Sequence, residues 1–263
     1  LSKFGFENYF KGIVKTVNYE ARNTEEYKNS GSNTELNSAI GYYSKLNLFK
    51  KNLDNQSLYS LTPKFLLRYA PGHMRDVEEG KLNYGDIFKL NKVKQKDVVE
   101  NGLSTSIGFE FKKNNITNDN SIGDEKFSFS IGQVINNEEN MDMPASTSLD
   151  QRFSDIVGRT NYNINNKVSL NYNFSLDQNY KDLNYSEVGS SYTIQNAKFN
   201  LSYLQEKKHI GNQELIVGGF DYKFNDSTEL AFSTKRNLLT NSAEFYNLSY
   251  NYINDCLKAG VAY

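Results

Sequence analysis

Lys167-Val168-Ser169-Leu170-Asn171-Tyr172-Asn173-Phe174-Ser175-Leu176 is the stretch that decides the fold. Val168, Leu170, Tyr172, Phe174 and Leu176 alternate without a break with Lys167, Ser169, Asn171, Asn173 and Ser175. Successive strand side chains point to opposite faces, so this alternation predicts a strand with one apolar face and one wet face. Asn165-Asn166 just before it reads as a tight turn, because Asn tolerates the positive φ that short hairpins demand.

The same pattern extends in both directions. Upstream, Ile40, Tyr42, Leu46 and Leu48 alternate with polar residues, as do Leu103, Ile107, Phe109 and Phe111, and then Phe127, Phe129 and Ile131. Downstream it returns at Phe199, Leu201 and Tyr203, at Ile216, Phe220, Tyr222 and Phe224, and at Tyr246, Leu248, Tyr250 and Tyr252. No segment keeps a helical period. About thirteen strands are expected, most of them about 9 to 13 residues long, which is longer than ordinary globular strands. A tilted strand needs about 9 to 11 residues to cross a bilayer.

The connections are one-sided. Polar turns at Asn165-Asn166, Gln195-Asn196, Asn225-Asp226 and Asn254-Asp255 recur about every 30 residues, one hairpin each. Longer connections lie between them, near 178–184, 206–213 and 236–243. Upstream, a short turn near 50–56 faces long connections near 21–34, 70–100 and 136–153, and 113–125 is of intermediate length on the short-turn side. Short turns at one end and long loops at the other are the habit of a transmembrane barrel, periplasmic and extracellular respectively. A soluble meander or sandwich would also alternate, but it would not need such long strands or such one-sided loops. The expected fold is therefore all-β: an antiparallel up-and-down transmembrane β-barrel, seen in part.

Composition limits the remaining classes. The chain has 263 residues, of which 38% are hydrophobic, and its mean hydropathy is well below zero. No run approaches the roughly 18 apolar residues of a membrane-spanning helix. Thirty basic and 31 acidic residues leave a net charge of −1, so no field favours nucleic acid. In a barrel the Ser, Asn, Gly and Thr set would line a hydrated interior, and Tyr162, Tyr180, Tyr185 and Tyr252 fit interfacial girdles. An odd strand count, and a start at Leu1 without a signal peptide, lead us to expect a piece of a longer barrel. The alternating end at Leu257, Ala259, Val261 and Tyr263 is that of many barrels, although truncation is the preferred reading.

Nothing points to catalysis. His73 lies in Pro71-Gly72-His73-Met74-Arg75-Asp76 and His209 in a basic loop, neither beside a marked nucleophile. Asp76, Glu78 and Glu79 have the chemistry to bind a divalent cation, but a solvated loop is the simpler reading. No phosphate loop, metal-ligand spacing or nucleophile elbow occurs, and no cofactor is expected. The lone Cys256 has no partner within the chain, so it is either inert or paired elsewhere.

One ordered series of motifs is familiar. Leu61-Thr62-Pro63 opens a strand ending at Tyr69-Ala70-Pro71. Asp86-Ile87-Phe88-Lys89-Leu90-Asn91-Lys92 follows, then Asp97-Val98-Val99-Glu100-Asn101-Gly102, and a later strand ends in Ile131-Gly132-Gln133. Ser154-Asp155-Ile156-Val157-Gly158 looks like a further strand opening. Over roughly residues 57–263 the chain resembles the C-terminal barrel of the LPS-assembly outer-membrane LptD (OstA/Imp) family. Phe88, Asn91, Asp97, Glu100, Gly102, Gly132 and Gln133 match the family pattern. Lys92 and Val98 stand where the family has arginines, and a glycine between them is missing.

The resemblance implies an outer-membrane location in a Gram-negative bacterium and transport rather than chemistry. It implies delivery of lipopolysaccharide from a periplasmic bridge, through an N-terminal domain outside residues 1–263, into the outer leaflet. It also implies a lipoprotein plug of the LptE kind in the interior. It gives Cys256 a reading too, since the family carries a C-terminal cysteine pair linked by disulfides to that periplasmic domain. Here one cysteine stands in place of two, on the short-turn side by the turn pattern. The segment around 70–100, with Arg75, Asp76, Asp86, Asn91 and Asp97, is expected to fold over or into the barrel and close its extracellular mouth. A general porin or passive channel is the alternative, and a soluble or surface β protein that binds a partner is the second.

Overall fold

A computed structural model of the chain describes residues 2–3, 5–21, 31–54, 56–78, 80–117, 121–208, 211–254 and 256–263. Glu79, His209 and Asp255, named above, lie outside the described residues, as does most of the connection near 21–34. Fifteen strands form among the described residues: β1 (Ser2–Lys3), β2 (Phe6–Ala21), β3 (Gly31–Leu46), β4 (Leu48–Asn52), β5 (Ser57–Ala70), β6 (Gly102–Ile116), β7 (Ile122–Asn136), β8 (Ile156–Asn163), β9 (Val168–Leu176), β10 (Leu183–Ile194), β11 (Ala197–Glu206), β12 (Gln213–Asn225), β13 (Thr228–Asn237), β14 (Ser242–Ile253) and β15 (Lys258–Ala262). If two-residue β1 is set aside, and β3 and β4 are taken as one run interrupted at Asn47, the expected thirteen remain.

Every ladder whose register is described is antiparallel. The strand order follows the sequence, β1-β2-β3-β5 onward to β15, with β4 beside β5, and among the described residues no ladder joins the first strand to the last. The up-and-down all-β prediction holds. Two details differ. Strands β2 and β3 run 16 residues and β6 and β7 run 15, longer than expected. The connection read as 113–125 is shorter, because β6 runs on to Ile116 and β7 starts at Ile122.

The chain packs as two compact units. The first comprises Leu1–Asn47, Thr62–Phe109 and Gly132–Ile156, and the second Leu48–Leu61, Glu110–Ile131 and Val157–Tyr263. In the first unit, alternation segregates the strand faces as predicted. Phe10, Val14, Leu36 and Ile40 stand 63–81% exposed on one face. The opposite face carries Lys11, Ile13, Lys15, Ala39, Gly41, Leu66, Arg68, Ser104 and Ser106, and the long connection after β5 packs against it.

The buried apolar side chains of this unit belong mainly to that connection. Met74, Val77, Leu82, Tyr84, Ile87, Leu90, Val93, Val98 and Val99 are all buried. Loops usually run over a surface and the strands supply the core. Here Phe10, Val14, Leu36 and Ile40 of the strands are bare, while nine apolar side chains of the loop are covered.

The second unit holds β4 and nearly all of β8 to β15, with parts of β5 to β7. Its apolar face is also bare, with Val188, Tyr192, Phe199, Leu201, Phe232 and Tyr246 exposed. Two of the expected girdle tyrosines are elsewhere. Tyr185 is buried, because it shares the strand phase of Glu187 and Ser191 rather than that of Val188 and Tyr192, and its hydroxyl donates to Glu187 at 2.6 Å. Tyr180 lies in the 177–182 connection at φ 61, off any strand. Tyr162 and Tyr252 are exposed near strand ends, as expected.

Candidate functional site

The described residues of 71–101 lie in no helix or strand, so their carbonyls have no ladder partners, and buried backbone groups need donors. The polar face of the sheet supplies them. Lys11 Nζ donates to the Phe88 carbonyl at 3.4 Å and Lys15 Nζ to the Val98 carbonyl at 3.0 Å. Arg68 Nε donates to Leu90 O at 2.5 Å, its Nη1 to Gly102 O at 3.3 Å, and its Nη2 to Glu100 O. Three cations on two strands, β2 and β5, thus tie down one connection.

Arg68 and Glu100 meet in a buried ionic knot. Glu100 Oε1 lies 2.8 Å from Lys92 Nζ and 3.6 Å from Arg68 Nη1, and all three side chains are at most 3% exposed. Lys92 Nζ also reaches Ser104 Oγ at 3.4 Å, and the Lys92 backbone N–H donates to Glu100 Oε2 at 3.3 Å. Burial alone would raise the Glu100 carboxyl, but the Lys92 and Arg68 charges and the hydrogen bonds from Lys92 outweigh it. They hold the group below the usual carboxylate range. Next to the knot, Val99 packs with Ala39 of β3, Ala70 of β5 and Ile13 of β2.

The residues singled out in the sequence take distinct places. Asn91 closes the end of the loop on itself: its amide donates to Val93 O and Val98 O, and its Oδ1 accepts the Glu100 N–H at 2.9 Å. Asp86 caps a local turn, accepting from Lys89 Nζ at 2.6 Å and Asn83 Nδ2 at 3.3 Å. Phe88 lies edge-on between Tyr43 and Tyr84. Asp97 pairs with Arg75 at 3.1 Å, and Arg75 also reaches Glu35 of β3 at 3.5 Å, all three partly exposed. Gly102 starts β6 at φ +88, a conformation that disfavours a side chain.

Gly132 and Gln133 act at the far side of the same unit. A Cβ on Gly132 would lie 2.3 Å from Ile87 Cδ1 and 2.7 Å from Ile107 O, so the glycine makes the hole that Ile87 fills. Gln133 Nε2 donates to Ser154 O at 2.8 Å, and Ser154 Oγ accepts from the Val134 N–H at 3.0 Å. Both fix the return of the 137–155 connection.

His73, Asp76 and Glu78 are exposed on the loop, and no group of three or more His, Cys, Asp and Glu able to hold a metal occurs among the described residues. Cys256 is exposed in the turn between β14 and β15, its N–H on Asn254 Oδ1 at 3.0 Å, far along the chain from the loop. Sequence reasoning passed over Arg68, Ser104 and the buried role of Lys92. One signal was available: Arg68 falls on the polar phase of β5 between Leu66 and Ala70, where a lone cation needs a buried partner.

A family model described as LptD, LPS transport system D, matches residues 16–228. No curated protein sequence matches the chain. Among solved structures, a mutant porin of Rhodopseudomonas blastica matches at 8% identity over 97% of this chain and 93% of the porin, with a TM-score of 0.38. Another mutant of that porin matches at 8% identity over 98% of this chain and 92% of its own, at 0.40. A structure described as "Asymmetric conductivity of engineered proteins" matches at 8% identity over 98% and 99%, at 0.32.

Proposed function

The chain belongs to the LptD family of LPS transport proteins, and from that membership we propose that it is the C-terminal part of an outer-membrane barrel that inserts lipopolysaccharide into the outer leaflet. The observation that carries the reading is the division of labour between the two sheet faces. One face is bare and apolar, as a lipid-contacting wall is, and the other is small, polar and cationic. A hydrated interior of that kind suits passage of the sugar portion of lipopolysaccharide. It also suits a lipoprotein plug of the LptE kind.

In this reading the 71–101 connection narrows the interior at its long-loop end. The knot of Arg68, Lys92 and Glu100 keeps it seated. Asp86, Phe88, Asn91 and Asp97 shape the segment, and Gly102, Gly132 and Gln133 fit it to the strands. Short turns face the periplasm, where Cys256 is available for a disulfide to the family's periplasmic domain, which receives lipopolysaccharide from the transport bridge. The periplasm is oxidising, so such a bond persists there.

Two measurements test the reading. In cells depleted of the protein, newly made lipopolysaccharide is expected to stop reaching the outer leaflet, and undiminished delivery would refute the function. Deleting residues 76–98 is expected to raise permeability to large antibiotics, and unchanged permeability with normal assembly would refute the closure role.

A further inference from the structure

The bare apolar face of the second unit is not smooth. On β10 to β13 the cross-strand pairs Ser190–Leu201, Leu201–Gly218 and Gly218–Thr234 form one row, and the next row toward the short turns pairs Tyr192–Phe199, Phe199–Phe220 and Phe220–Phe232. Missing bulk at Ser190, Gly218 and Thr234 beside a ledge of aromatic rings leaves an apolar notch of about 470 Å³. The floor is polar in composition but offers no free donor. Ser190 Oγ donates to Leu201 O at 3.4 Å and Thr234 Oγ1 to Phe245 O at 3.2 Å, so both hydroxyls are turned into the sheet.

A dry notch of this kind suits hydrocarbon. Against a bilayer, an unfilled void forfeits dispersion contacts along its whole lining. One row further toward the long loops, β12 and β13 pair Ile216 with Arg236, on the same face by the period of two. Arg236 is exposed, and its Nη2 donates to Asn241 Oδ1, which leaves other guanidinium donors open. The one acidic side chain nearby on that phase of β12, Glu214, already accepts from Gln205 Nε2 at 3.2 Å. A cation above an apolar notch matches a phosphate above an acyl chain.

We infer that this notch is a seat on the outer wall for one lipopolysaccharide molecule, with an acyl chain against Gly218 and a phosphate of its lipid anchor on Arg236. The inference rests on the proposed membrane reading, which puts the long-loop end, and so Arg236, at the outer leaflet. The seat lies on the wall rather than in the interior, so it holds lipid already in the leaflet and gives the wall a fixed, anionic lipid neighbour.

The test uses full-length protein in isolated outer membranes, with p-benzoylphenylalanine in place of Leu201 or, at the same depth two strands away, in place of Leu170. Photo-crosslinked lipid is identified with antibody to lipopolysaccharide and with radiolabelled phospholipid. Lipopolysaccharide is expected at 201 well above 170. Gly218→Leu is expected to lower the 201 adduct about tenfold, the loss of about two buried methylenes. A Cβ at Gly218 meets only Thr234 Cγ2 at 3.6 Å, so the substitution starts into the notch without displacing backbone. Arg236→Gln is expected to lower the adduct as well. Equal lipopolysaccharide adducts at both positions, insensitive to Gly218→Leu, would overturn the seat and leave the membrane reading intact. Phospholipid alone at 201 would overturn the lipid identity. No lipid adduct at either position would overturn the membrane reading itself.

Discussion

Glu100→Gln removes the only carboxylate of the buried knot while keeping the size of the side chain. Arg68 and Lys92 stay behind with side chains 0% exposed and no counter-charge within the knot. Removing one partner of a buried ion pair costs about 3–5 kcal/mol, because the remaining charge is left uncompensated. The cost falls on the seated state of residues 71–101, since unseating the loop lets Lys92 reach water. At about 1.4 kcal/mol per decade, local opening should rise by roughly two to three and a half orders of magnitude. Amide hydrogen exchange of the purified protein, read by mass spectrometry, measures this. Peptides covering residues 86–100 are expected to lose protection by that factor, while peptides of β11 to β13 keep theirs. Adding Lys92→Met withdraws the stranded ammonium and should restore at least about tenfold of the protection. Exchange at 86–100 within about threefold of the unmodified protein would refute the knot as the fastening. Equal acceleration in β11 to β13 would refute a local effect.

Three further outcomes follow from the same geometry. The Glu100 carboxyl is held below its usual range, so its contribution is complete above about pH 4.3 and is lost only as pH falls through the lower folded value. Loop protection, corrected for intrinsic exchange, should therefore stay flat from neutral pH to about 5, and a decline starting near pH 6 would contradict the assignment. Gly132→Ala should destabilise the fold by about 1–3 kcal/mol, seen as a lower melting temperature. Adding Ile87→Ala should recover only part, because the Cβ still meets the Ile107 carbonyl at 2.7 Å, and full recovery would show that contact to be harmless. Non-reducing electrophoresis of full-length protein should show a reductant-sensitive mobility shift that Cys256→Ser abolishes, and identical mobility of the two would remove the disulfide.

The strands were legible in the sequence because their signal is local. Val168 to Leu176 alternate, and β9 spans those residues. The turn at Gln195-Asn196 was equally plain, with Gln195 at φ 45. Tyr185 was misplaced because a strand-end aromatic was read as a girdle residue, although alternation already puts it in phase with Glu187 and Ser191, opposite Val188 and Tyr192. The loop was visible as a long connection carrying family residues; Asn91 and Glu100 proved to be structural positions within it, and Gly132 of β7 the place where Ile87 docks. Its fastening was not visible. Arg68, Lys92, Glu100 and Ser104 come together only after β5 and β6 pair with their neighbours and the loop lies down on them. Charge counts treat such a knot as solvated residues, and alternation describes only the strand members of it.

The covered side chains of the first unit have a mechanical consequence. Nine apolar residues from Met74 to Val99 are buried by the loop itself. At about 1.5–3 kcal/mol for each fully buried large side chain, withdrawing them together would match or exceed most of the roughly 5–15 kcal/mol range that holds a typical domain folded. Such a segment does not swing like a door on two hinges. Expelling it would amount to melting much of the unit, so under the proposed transport function lipopolysaccharide passes beside a segment that stays seated.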